Sequence, residues 1–263
     1  MKPGELLDVI TLSEKRRRIL LLLREGPKTL SDLRDYFNVT SPEIIPQIRI
    51  MEQKRLLHQV GREYILTDIG ELIASCFNRL VETLSIFEGN ENFWDRHRIK
   101  GIPLEFQKRI HELGDYRIVR SDPTEVFEPH REYMQNLLKS TSIKGVSPIF
   151  HPEYPRAYLE LAKKDIPIAL IVTRDVFDRI TREYRPMLEK GLQYKKVEFM
   201  ICDEKPEVAF TVTNILINMG LFLKDGNYDV HNSIVSFDKS AIKWGEDLFK
   251  YYKERSEKVR GLS

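Results

Sequence analysis

Apolar residues recur three and four positions apart through the first fifty residues, the period of helices that bury one face. Ile19, Leu20, Leu22 and Leu23 predict a helix from Ser13, its N-cap, to Glu25, where Gly26-Pro27 stops it. Leu30, Leu33 and Phe37 predict a shorter second helix, opened by Thr29 or Leu30 and closed by Asn38-Val39-Thr40. A third begins at Ser41-Pro42-Glu43, which reads as an N-cap, a helix-start proline and an acidic first turn. Its stripe Ile44, Ile48 and Met51 faces inward and leaves Pro42, Ile45, Pro46, Gln47 and Arg49 outward. Pro46 has no backbone donor one turn in, so a kink or a tighter first turn is expected. Leu56 to Val60 and Glu63 to Leu66 then flank Gly61-Arg62, a two-residue turn with a basic tip. Three helices followed by a hairpin is the order of a winged helix-turn-helix, which makes double-stranded DNA the leading partner.

A fourth helix starts at Thr67 and carries Leu72, Ile73, Phe77, Leu80, Val81, Leu84 and Phe87. Such a stripe either packs on the protein's own domains or forms a dimer helix. Gly89-Asn90-Glu91-Asn92 ends it, and a helical connector broken at Ile102-Pro103-Leu104 runs to Gly114. From Asp115 the period changes to alternating strands and helices, with strands expected at 116–120, 143–150, 167–173 and 196–202 and helices at 123–139, 154–164, 176–184 and 185–191. Ile168 to Val172 is continuously apolar, as in strands covered by helices on both faces. A final helix is expected over 238–255, and the charged tail from Glu254 is expected to fray. The expected fold is therefore an α+β winged helix-turn-helix over 1–67, linker or dimerisation helices over 68–114, and an α/β regulatory domain over 115–255.

Length and composition agree with more than one domain: 263 residues, 41% apolar and 31% charged, suffice for a sizeable core and a solvated surface. The longest early apolar run, Ile19 to Leu23, is far shorter than the roughly 20 residues of a membrane span, so a cytoplasmic protein without a membrane partner is expected. The net charge is +2, but its distribution says more: 12 Lys or Arg face 9 Asp or Glu through Leu66, and 30 face 31 beyond it. That excess is modest, since DNA affinity depends on cations placed against phosphates. Cys76 and Cys202 form no metal or redox spacing.

Neither His151-Pro152-Glu153 nor Glu128-Pro129-His130 sets two metal ligands on one helix face, and no phosphate-binding glycine loop or nucleophile elbow occurs. The strand and helix order after Asp115 resembles half of a phospholipase-D-like domain, whose signature is His-x-Lys-x4-Asp. The residues two after each histidine are Val60, Ile99, Leu113, Glu132, Glu153 and Ser233, none of them lysine. No catalytic residue, metal site or cofactor is expected, and the alternative is a phospholipase-D-like or nuclease-type enzyme with a DNA-binding head.

Gly101-Ile102-Pro103, His111 to Tyr116, Gly145-Val146-Ser147-Pro148-Ile149-Phe150-His151-Pro152, Gly220-Leu221-Phe222, Asp225 to Asp229 and Ala241 to Phe249 together resemble the archaeal methanogenesis regulatory proteins. That resemblance covers nearly the whole chain and implies a transcription factor with an N-terminal winged helix and a C-terminal regulatory domain. The late stretch is also similar to TrmB-type sugar-responsive regulators, which implies a small-molecule effector.

The candidate DNA contacts are Ser41, Pro42, Ile45 and Gln47 in the major groove, Arg49 and Lys54 on phosphates, and Arg62 on the wing. Ser147, His151, Thr173 and Thr213, at or just beyond expected strand ends, are the candidate effector residues. A homodimer is expected, because a symmetric operator needs two reading helices about 34 Å apart. The fourth helix and the C-terminal helix bearing Trp244, Leu248, Phe249 and Tyr252 are the candidates for holding it.

Overall fold

Cap chemistry sets the boundaries of the first elements in this computed structural model, which describes residues 5–120, 131–259 and 261. After a short helix α1 (Glu5–Thr11), α2 (Glu14–Arg24) starts where the Ser13 hydroxyl accepts from the Arg16 backbone N–H. A two-residue strand β1 (Lys28–Thr29) leads into α3 (Leu30–Phe37), and Thr29 caps it by exchanging hydrogen bonds with Asp32. Asn38 ends α3 in the left-handed conformation that asparagine tolerates. The next helix, α4 (Ser41–Gln53), is capped by Thr40 rather than Ser41. Thr40 donates its backbone N–H and its hydroxyl to Glu43, which stands three residues on and selects Thr40 over the equally competent Ser41.

The helix is continuous across Pro46 with no break. Of the kink and the tighter first turn expected, it is the first turn that departs from α, the Glu43 N–H reaching the Thr40 carbonyl three residues back at 3.1 Å. The carbonyl left without a donor is that of Pro42, in the exposed first turn, where loss of a bond costs least. Strands β2 (Leu57–Val60) and β3 (Glu63–Leu66) form the hairpin, and β1 joins β3 to make a three-stranded sheet. Gly61 supplies the positive φ of the turn. Then α5 (Asp68–Phe87) begins on a Thr67 cap.

The chain divides into two compact units, residues 1–83 and 84–263. In the first, Ile19, Leu20 and Leu23 of α2, Leu33 of α3, Ile44, Ile48 and Met51 of α4, Leu57 and Leu66 of the hairpin and Ala74 of α5 share one core.

The second unit opens with α6 (Glu91–Arg96), α7 (Leu104–Gln107) and two single-turn 3-10 segments. There follow β4 (Tyr116–Arg120), α8 (Arg131–Lys139), β5 (Ile143–Ser147), α9 (Tyr154–Ala162), β6 (Ile168–Thr173), α10 (Arg174–Leu192), β7 (Val197–Cys202), β8 (Val208–Thr213), β9 (Ile217–Leu221), β10 (Asn232–Ser236), α11 (Lys239–Lys253) and β11 (Ser256–Lys258). Residues 123–130 of the helix expected from Pro123, with the Glu128-Pro129-His130 group, lie outside the described residues.

The sheet is mixed, in the order β11-β7-β6-β5-β8-β9-β10-β4, with β5, β6 and β7 parallel and the other pairs antiparallel. Alternation along β6 explains its continuous apolarity. Ile171 joins the core that contains Trp244 and Leu248 of α11, whereas Leu170 and Val172 face the cluster built with Val176 and Leu188 of α10. Helices therefore cover both faces of the sheet. Trp244, Leu248, Phe249 and Tyr252 are all buried in this core, which removes α11 as an exposed dimer face. Within the tail expected to fray from Glu254, Ser256–Lys258 instead pairs with β7 at the sheet edge as β11, while residues 260, 262 and 263 lie outside the described residues.

Candidate functional site

Two surfaces collect the candidate residues, one in each unit. In the first unit the outer face of α4 follows from its buried face. Opposite Ile44, Ile48 and Met51, at 3.6 residues per turn, stand Pro42, Pro46, Arg49 and Gln53, and all four are exposed. Gln53 was not among the expected contacts, although its i+4 step from Arg49 announces it.

The remaining candidates lie beside this face. Ser41 is half-buried in the first turn, and Ile45 packs against the unit's own core. Gln47 is half-buried, with its side-chain carbonyl accepting from Arg16 Nη1 at 2.8 Å while Arg16 Nε donates to the Val9 carbonyl. Lys54, just past the end of α4, pairs with Glu5. Ile45 and Gln47 thus sit at the seams of the helix rather than fully outward, because neither lies diametrically opposite the core stripe. Arg62 is exposed at the hairpin tip, where Gln59 Nε2 donates to the Gly61 carbonyl at 3.0 Å and braces the turn.

In the second unit, a cavity of about 130 Å³ lies between the sheet and the helix pair α9 and α10. Strands β5 to β9 contribute Ser147, Leu170, Phe199, Thr211 and Asn218; α9 contributes Tyr154 and Tyr158; α10 contributes Val176, Ile180 and Leu188. Tyr133 of α8 and Tyr228 complete a group of four tyrosines. Tyr133 donates its hydroxyl to Thr211 Oγ1 at 2.8 Å, and Tyr154 lies edge-on to Tyr158. Burial pushes the phenols of Tyr133, Tyr154, Tyr158 and Tyr228 upward, so all four stay neutral donors at ordinary pH. Helix α10 breaks at Tyr184, ahead of Pro186, and the Tyr184 ring packs on Phe150 at the cavity rim.

Of the expected effector residues, Ser147 and His151 line the cavity and Thr173 and Thr213 do not. Ser147 donates to the Ile149 carbonyl at 2.7 Å and shapes the turn that follows β5. The His151 ring stacks on Tyr154, and burial lowers its pKa, against the pull of Glu153. Thr173 stands at the N-cap of α10. Thr213 accepts from the backbone N–H groups of Ile215 and Leu216, closing the β8–β9 turn. Tyr133, Tyr154 and Tyr158 escaped sequence reasoning, since Tyr154 and Tyr158, four apart on a helix, have the spacing of ordinary core, and Tyr228 reads from sequence as a core or domain-interface aromatic before a ligand platform. Among the described residues no group of three His, Cys, Asp or Glu side chains is arranged to hold a metal ion.

Comparison with known proteins places both surfaces. The N-terminal domain of methanogenesis regulatory protein FilR1 matches residues 5–85, and the FilR1 middle domain matches residues 126–255. The chain belongs to the FilR1 family. The α4 face and the hairpin fall in the FilR1 N-terminal domain, and every cavity-lining residue falls in the FilR1 middle domain. Methanogenesis regulatory protein FilR1 of Methanothrix harundinacea (strain 6Ac) is 25% identical over 257 residues, covering 95% of this chain. The chain spans 57% of the length of that relative. Among solved structures, TrmBL2, an archaeal chromatin protein described for a novel mode of DNA binding, aligns over 97% of this chain and 100% of its own at 16% identity and a TM-score of 0.45. Nuc of Salmonella typhimurium, a phospholipase D family member, aligns over 56% of this chain and 99% of its own at 13% identity and a TM-score of 0.42. No helix among the described residues is long and apolar enough to cross a membrane.

Proposed function

We propose that this FilR1-family protein is a transcriptional regulator of methanogenesis or energy-metabolism genes. In this reading it binds double-stranded DNA as a cytoplasmic homodimer through a winged helix-turn-helix made of α2, α3, α4 and the β2–β3 hairpin. The observation that carries the reading is the exposed edge of α4, with Pro42, Arg49 and Gln53 free of the core and Arg62 presented at the hairpin tip. Family membership supports it independently.

Ser41, Pro42, Ile45 and Gln47 enter the major groove, Gln47 through its amide N–H groups while Arg16 holds its carbonyl. Arg49 and Lys54 meet phosphates, and Arg62 meets backbone or minor groove. The unit from Leu84 onward senses a small molecule in the cavity, with Ser147 and His151 on its wall; Thr173 and Thr213, which do not line it, serve the α10 N-cap and the β8–β9 turn. The reading assigns no phospholipase-D chemistry, because no histidine is followed two residues later by lysine.

Selection of bound sequences from random DNA by the full chain tests the proposal. Enrichment of a palindromic site is the expected result, and recovery of unenriched DNA overturns it.

A further inference from the structure

The cavity's lining is informative about charge. Among the described residues that line it there is no Asp, Glu, Lys or Arg. A charged group buried there would find only His151 as a titratable counterpart besides the neutral tyrosines, and burial disfavours the charged imidazole, so it would carry a large desolvation cost. The walls are mostly aliphatic and aromatic, and the polar atoms that remain belong to tyrosine and threonine hydroxyls, Asn218, Ser147 and His151. Ser147 and the Tyr133–Thr211 pair are already engaged with protein partners. Among the described residues the hydroxyls of Tyr154 and Tyr228 have no protein hydrogen-bond partner. These two phenols both line the cavity and interact electrostatically, and Tyr154 is half-buried in the wall. The volume of about 130 Å³ is close to the roughly 150 Å³ apolar cavity that accepts a benzene molecule.

We infer that the cavity takes an uncharged small molecule with one ring-sized apolar body and a hydroxyl or carbonyl end, which the phenols of Tyr154 and Tyr228 hold by hydrogen bonds. The ring fills the space against Leu170, Phe199 and Leu188, and the polar end points to the tyrosine pair. This assignment rests on the sensing role proposed for the second unit.

The test uses the full chain and four probes of similar size in titration calorimetry: p-cresol, toluene, 4-methylbenzoate and 4-methylbenzylamine. Saturable binding of p-cresol is expected, with the benzoate and the ammonium at least tenfold weaker. Tyr154→Phe combined with Tyr228→Phe keeps both rings and should weaken p-cresol about tenfold, the loss expected of about 1.4 kcal/mol of hydrogen bonding, while leaving toluene unchanged. Tighter binding of either charged probe, absence of saturable p-cresol binding, or an equal loss for toluene in the double variant overturns the assignment. DNA affinity measured with each probe separates the two readings. Binding of p-cresol without any change in DNA affinity upholds the ligand class and defeats sensing, whereas a charged probe that binds and changes DNA affinity upholds sensing and defeats the class.

Discussion

His97 and Asp229, 132 residues apart in sequence, meet at 3.0 Å between Nε2 and Oδ2 in the buried interior of the second unit. The other ring nitrogen of His97 faces the Phe93 carbonyl at 2.6 Å, so both nitrogens point at groups that only accept. Asp229 also accepts from the backbone N–H groups of His231 and Asn232 and from the Asn232 amide. This carboxylate ties α6 to the turn that leads into β10, and it does so with every oxygen satisfied.

Burial pushes the Asp229 carboxyl up, but hydrogen bonds from His97, Asn232 and the His231 N–H outweigh it and hold the pKa at about 2. A carboxyl depressed in the folded state stabilises above its unfolded pKa of about 4, and that contribution is lost as pH falls from about 4 towards 2. Acid unfolding followed by tryptophan fluorescence should therefore be steep in that window. Asp229→Asn should remove about 2 kcal/mol at pH 7 and flatten the slope between pH 4 and 2. An unchanged slope contradicts the assignment.

Gly70 marks a close approach in the first unit. A Cβ there would stand 1.9 Å from the Leu56 carbonyl oxygen, which already accepts from the Thr67 N–H. Gly70→Ala should destabilise this unit by about 3 kcal/mol, since the neighbour is backbone and cannot swing away. Gly191 in α10 has open space around its missing Cβ, so Gly191→Ala should stabilise by about 0.5 kcal/mol through helix propensity. Urea unfolding of both variants checks the opposite signs.

The first unit was largely legible because its signals are local. The Ser13 cap, the Gly26-Pro27 stop and the Gly61-Arg62 turn each act within a few residues, and the helices and hairpin fall where those signals put them. The one-residue shift of the third cap arose because Thr40 and Ser41 are chemically alike and only Glu43 distinguishes them. In the second unit, β10 escaped because Asn232–Ser236 carries only two apolar residues, Ile234 and Val235, too few for a period, and β11 because a short charged strand at a sheet edge has no apolar period. The cavity escaped because Tyr133, Tyr158, Thr211 and Tyr228 meet only through the tertiary fold.

Arg62 and Arg49 should differ from Gln47 in how they affect DNA binding. Arg62→Ala and Arg49→Ala each remove an exposed cation and should weaken binding to all sequences, lowering the magnitude of the salt slope by about one phosphate each. Gln47→Ala should relax preference at one base position, and it also frees Arg16, so a parallel Arg16→Ala variant is needed to separate the two. Fluorescence anisotropy across a salt series reads all four. Unchanged affinity in both the Arg49 and Arg62 variants would remove the α4 face and the hairpin tip from the interface.

Helix α5 has an apolar side that its own unit leaves open. Ile73, Ala74 and Phe77 pack into the first unit's core, while Ile69, Leu72 and Leu80 stay exposed, Leu72 at 68%. In the homodimer proposed above, burial of the α11 residues leaves α5 as the remaining candidate for the contact between copies, and exposed leucines at this spacing suit a helix pair. Leu72→Glu with Leu80→Glu should shift the protein from dimer to monomer in analytical ultracentrifugation. Neither residue belongs to the core, so the unfolding midpoint measured at low protein concentration should hardly move. Specific DNA affinity should fall as the dimer is lost, because one reading head buries too little surface for tight binding. A double variant that remains dimeric rules out α5 as the contact between copies.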